Sequence, residues 1–135
     1  MQEQAIDTSL GLVERAADGI IHIRFRSSAR IDVSGLAEVL EARKALAQGV
    51  PAGIMAHVPI NAAFDLSILN VDHYAGKDAE AFTCALAIIT QDKFHLHLVG
   101  FYTACFKTSF PIRAFGRSEE AHKWLLQKAS KVEVH

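Results

Sequence analysis

The stretch Phe94-His95-Leu96-His97-Leu98-Val99-Gly100-Phe101-Tyr102-Thr103-Ala104-Cys105-Phe106 decides the fold. Its first five residues alternate apolar and polar as a strand does. Phe94, Leu98, Phe101 and Cys105 also follow a helical stripe, and so do His95, Val99, Tyr102 and Phe106. Helical spacing accounts for all thirteen residues and alternation for only five, so the segment is read as a helix. A helix here is a crossover between the strands before and after it, and crossovers imply parallel pairing.

Working outward, residues 83–90 form an apolar run ending in β-branched Ile88 and Ile89, and 111–115 form a second, shorter strand. Ser118-Glu119-Glu120 then starts a last helix, with a capping hydroxyl and two acids at the positive end of its dipole. Ala121, Trp124 and Leu125 make its inner face. Toward the N-terminus, residues 78–82 read as a helical turn and 66–74 as a short helix with Leu66, Leu69 and His73 on one side. Residues 52–58, set between Pro51 and Pro59, read as a buried strand. Asp32 or Ser34 caps a helix carrying Leu36, Val39, Leu40 and Leu46, and Gly49 stops it. Before it, Ile21, Ile23 and Phe25 alternate with His22, Arg24 and Arg26, and Asp18-Gly19 supplies the positive φ of a hairpin back to residues 10–15. The expected order is β-β-α-β-α-β-α-β-α: one α/β domain over 10–130, about five strands and four helices. A flexible N-terminus is expected over 1–9 and a frayed tail over 131–135.

The C-terminal third carries a resemblance. Phe101-Tyr102, then Phe110-Pro111-Ile112-Arg113-Ala114-Phe115, then Ser118-Glu119-Glu120-Ala121-His122-Lys123-Trp124-Leu125 resembles the end of small bacterial STAS-like domains. These belong to the SpoIIAA-like and STAS/Sec14 group, in which P-x-R-x-F leads into an S/D-E-E-A-x-x-W-L helix. The element order matches from about Leu10 to Lys128, the residues themselves over about 101–125. The resemblance implies a mixed sheet with helices packed on it and, in many relatives, regulatory binding rather than catalysis. Antagonists of anti-sigma factors with this fold carry a phosphorylatable hydroxyl in a D-S-[ST]-G motif. The corresponding stretch here, Pro59-Ile60-Asn61-Ala62-Ala63-Phe64-Asp65, has no hydroxyl. Ser67 lies nearby without the following glycine, so it is a weak candidate and no phospho-switch of that type is expected.

The 135 residues carry a formal charge of −1, and half of them are hydrophobic. That balance excludes a strongly basic nucleic-acid binder. Arg24, Arg26 and Arg30 form a local cluster that solvated strand positions explain. The first residues show no signal peptide and no apolar run approaches the ~20 residues of a membrane span. Cys84 and Cys105 lack metal or redox spacing and read as buried free thiols, so a cytoplasmic location is expected. Of the seven histidines, His95 and His97 sit two apart, which on a helix turns them about 200° from each other. No metal framework, nucleophile elbow or phosphate loop occurs, so neither catalysis nor a cofactor is expected.

What remains is the apolar helix. Phe94, Leu98, Phe101, Tyr102, Cys105 and Phe106 offer more apolar surface than one contact with a sheet requires. The helix is either covered on two sides by its own domain, exposed as a protein contact, or part of an apolar pocket. The expectation is a non-enzymatic binding or regulatory module acting through this helix, as a homodimer or with a regulatory protein partner. The alternative, from the Sec14-related side of the resemblance, is a carrier or sensor of a small apolar ligand such as a lipid.

Overall fold

Asp18 and Gly19 form the turn on which the sheet is built. Gly19 adopts φ +89°, open to glycine because it lacks a Cβ. Its N–H donates to Ala16 O, and Ala16 N–H donates to Ile20 O, both at 2.9 Å. The computed structural model describes residues 4–133, with side chains up to residue 129. In it strands β1 (Ala5–Asp7), β2 (Gly11–Arg15) and β3 (Ile21–Phe25) run antiparallel about this turn.

From β3 onward the chain crosses over. Helix α1 (Val33–Ala47) leads to β5 (Ala52–His57), which pairs parallel with β3. An irregular crossover leads to β7 (Thr83–Ile89), parallel to β5. Helix α2 (Lys93–Cys105) leads to β8 (Ile112–Phe115), parallel to β7. The main sheet has the order β1-β2-β3-β5-β7-β8. A separate two-residue ladder joins β4 (Arg30–Ile31) to β6 (Ala63–Phe64). Helix α3 (Ser118–Glu133) closes the chain.

The period-2 pattern of β3 sorts the two faces. Ile21 and Ile23 point into the larger core, with Val39, Leu40 and Leu46 of α1 and Ile54 of β5. The opposite face of the sheet packs Met55, Ala85, Ala87 and Phe115 against Ala121 and Leu125 of α3. The motif that carried the resemblance is therefore a packing device. Arg113 lies over the Phe115 ring at 4.9 Å. Trp124 meets Phe115 at 5.5 Å between ring centroids.

The fold is the expected mixed α/β domain, with six strands in the main sheet and three α-helices among the described residues. Residues 5–7 are not a loose lead-in. They form an edge strand on β2, reinforced by an ion pair from Arg26 to Asp7. Residues 131–133 are the last described residues of α3. Residues 1–3, 134 and 135 lie outside the described part.

The segment expected as a helix over 66–74 is a 3₁₀ helix at Leu66–Asn70 that stops at extended Val71. Just beyond it Asp72 accepts Tyr74 N–H on its own carboxylate (3.1 Å), a side-chain bond that offers the backbone an alternative to the helical ladder. Leu66 is exposed and Ile68 is buried. Residues 79–81 form a second 3₁₀ turn.

Candidate functional site: an apolar cavity beneath the second helix

Asp92 begins α2 by accepting Phe94 N–H on its carboxylate (2.8 Å). From there Leu98 turns inward with the stripe of Val99, Tyr102 and Phe106, away from the other members of its own stripe. Leu98 is buried, and Tyr102 and Phe106 are half-buried; Phe94, Phe101 and Cys105 are exposed. Phe94 is 57% and Phe101 53% exposed, and they stand seven residues apart on one outer face. The six candidate residues thus do not form one surface. Cys105, expected to be buried, is exposed because it continues the outer stripe, whereas Cys84 is buried in the sheet. Burial pushes the Cys84 thiol above its ordinary range.

The inner stripe does not rest directly on the sheet. Between α1, α2 and the sheet lies a cavity of about 160 Å³. Its walls are Val39 and Leu40 of α1, Ile23, Ala56 and Leu86 of the strands, and Leu98 and Val99 of α2, among others. Part-exposed Leu69, His73, Tyr102 and Thr103 line it where the 3₁₀ helix approaches α2. There His73 N–H donates to the Tyr102 hydroxyl (3.0 Å), and the two rings stack at 5.4 Å. His73 Nε2 donates to Ile68 O (2.9 Å). Burial is the chief cause that raises the Tyr102 phenol to about 12, against the opposing bond from His73.

His95 closes another part of the wall. It is 3% exposed, with Thr90 Oγ1 at 2.9 Å from Nδ1 and Ala62 O at 3.2 Å from Nε2. Thr90 Oγ1 also accepts Asp92 N–H (3.2 Å), so the network is satisfied with Thr90 donating to Nδ1 and His95 Nε2–H donating to Ala62 O. His95 therefore ties the end of β7 to the loop after β5. His97 points to solvent on the other side of the helix, as the 3.6-residue period requires. Among the described residues no three His, Cys, Asp or Glu side chains converge as a metal site would need.

Two arrangements escaped the sequence reading. One is Arg43 of α1, which lines the cavity at only 3% exposure. A charged residue in a helical sequence reads as solvated, and only the closeness of α1 to the cavity wall places it inside. The other lies on the opposite face of the sheet, where His22 Nδ1 and His57 Nε2 are 2.9 Å apart with stacked rings. Burial, and next the nearby Arg24 charge, depress both imidazoles, His57 to about 4. Arg24 in turn donates to Glu14 (2.7 Å), which holds that carboxyl below its usual range. The alternation in β3 marks His22 as outward, but its pairing with His57 depends on the β3–β5 register. Ser67 is exposed, and its N–H donates to Asp65 (3.0 Å) at the start of the 3₁₀ helix.

No helix among the described residues is long and apolar enough to cross a membrane. A comparison with curated proteins gives no match. Among solved structures, the chain is similar to an uncharacterized protein of the DUF3478 family from Shewanella loihica PV-4, which has a SpoIIAA-like fold. The two share 16% identity and a TM-score of 0.57, over 93% of this chain and 98% of that one. The SpoIIAA-like architecture expected from the C-terminal motif is therefore the fold of this domain. The profile of the family described as "Domain of unknown function (DUF7793)" matches residues 15–129, and the chain belongs to that family.

Proposed function

We propose that this domain is a non-enzymatic, cytoplasmic binding module that holds a small, mainly apolar ligand between α1, α2 and the sheet. The observation that carries the reading is the cavity. Protein interiors pack as densely as organic crystals, and their few voids are seldom larger than a water molecule. The space of about 160 Å³ is lined mainly by apolar side chains and opens in part to solvent, so an occupant would take that apolar wall out of water. The space is also the size at which an engineered apolar cavity accepts a benzene-sized molecule. An occupant would restore the lost contacts, and the few polar groups in the wall would orient it. Of the two readings anticipated for α2, protein contact and, as the alternative, a small apolar ligand, the cavity supports the alternative.

Native mass spectrometry of protein purified from its own host tests the reading. The expected result is a retained mass that disappears on denaturation and is lost in Ala56→Leu, which fills the cavity from β5. Bare protein in both forms, with no saturable binding of added apolar probes, would sink it.

A second reading is favoured by the outer face of α2. Phe94 and Phe101 are more than half exposed there, and aromatic side chains bring large contact area with little rotamer entropy. Self-association or a regulatory partner would use this face without disturbing the cavity. Sedimentation at tens of micromolar should then show a dimer that Phe101→Asp dissociates; a monomer at all concentrations contradicts self-association.

A further inference from the structure

Resting on the cavity reading above, we propose that the ligand is a small amphipathic carboxylic acid whose carboxylate is held by Arg43. Arg43 is 3% exposed and lines the cavity. Its Nη2 donates to Thr83 Oγ1 (2.8 Å), but its buried Nε has no hydrogen-bond partner among the described residues. None of the ion pairs among those residues includes it. The Tyr74 and Phe82 rings lie 5.8 and 5.9 Å from its guanidinium carbon, which softens the burial of the charge without neutralising it.

An unpaired cation in an apolar interior is among the most unfavourable arrangements a protein can hold. Arginine, unlike lysine, does not escape by giving up its proton. The position therefore calls for an anion that the described residues do not supply. The guanidinium fork matches a carboxylate's two oxygens. Charge count favours a carboxylate over a phosphate monoester, because among the described residues Arg43 is the only lysine or arginine in the wall and would leave most of a second negative charge unbalanced. Apart from His73, His95 and Thr103, the remaining wall is aliphatic and aromatic, which fits a short hydrocarbon or aryl tail. The volume limits that tail to about the size of a benzene ring.

The test compares matched probes on the intact protein by calorimetry and by amide chemical shifts: benzoate against benzyl alcohol, and hexanoate against hexan-1-ol. The wild type should bind each acid at least tenfold more tightly than its neutral partner. Arg43→Met, close in volume and free of charge, should abolish that preference while still binding the alcohols, and Arg43→Lys should recover part of it. Because the comparison between acid and alcohol is made within the wild type, it stands even if a variant fails to fold. Equal binding of acid and alcohol would overturn the carboxylate assignment and leave the cavity reading intact. Binding of neither class would overturn both.

Discussion

His57 shows how a half-buried side chain on the sheet sets a pH dependence for the whole domain. Its imidazole titrates near 4 in the fold, chiefly because burial disfavours the cation and next because Arg24 stands close. In the unfolded chain histidine titrates near ~6.5, so the unfolded state binds the proton first. Stability is therefore complete above about pH 6.5 and is lost as the pH falls from there toward 4. The lowered His22 acts in the same direction. For a half-exposed group, solvent screening reduces the His57 contribution to about 1–2 kcal/mol. Thermal unfolding followed between pH 7 and 5 should show a falling midpoint in the wild type and a flatter profile in His57→Gln. Identical profiles would contradict this account. The window matters, because the lowered carboxyls of Glu14 and Asp18 titrate below it.

At the scale of elements, α1 and α2 make opposite demands on their surroundings. The first turn of α1 is fixed by Asp32, which accepts Gly35 N–H at 2.8 Å. A Cβ on Gly35 would lie 2.5 Å from Leu10 Cγ and 2.8 Å from that same capping oxygen. Gly35→Ala should therefore destabilise the domain by about 1–3 kcal/mol in a denaturant titration, despite alanine's better helix propensity. A neutral or stabilising result would mean that the hairpin can move away from α1 freely. In α2 the two faces should separate in the same assay. Leu98→Ala should cost about 2–5 kcal/mol, whereas Phe101→Ser should stay within about 0.5 kcal/mol. Comparable losses at the two positions would contradict the division of the helix into an inner and an outer face.

Reading these elements from sequence succeeded where local chemistry and tertiary context agree. The Asp32 cap, the Asp18-Gly19 turn and the thirteen-residue periodicity of α2 all act within a few residues of themselves. Strand β1 escaped because three residues become a strand only through pairing with β2. The 3₁₀ helix looks longer in sequence because the apolar spacing around Leu66 and Leu69 gives no warning that Asp72 accepts Tyr74 N–H in the following turn. Arg43 escaped for a related reason: charge is a surface signal in a sequence, and its burial depends on how α1 sits against Thr83, forty residues away.

Across the whole molecule, the division of labour follows the sheet. One face carries α3 and the P-x-R-x-F packing against it; the other carries α1, α2 and the irregular crossover around the cavity. The apolar surplus noted in the sequence is thus spent on two cores and on the walls of a space they leave unfilled. Titrating benzene into isotope-labelled protein, with amide shifts followed by NMR, tests that description most directly. Saturable shifts are predicted at Val39, Leu40, Leu86, Leu98 and Val99, together with a raised thermal midpoint, and none at Ala121 or Leu125 beneath α3. Shifts confined to Phe94 and Phe101 on the outer face, or no saturable shift at all, would contradict it.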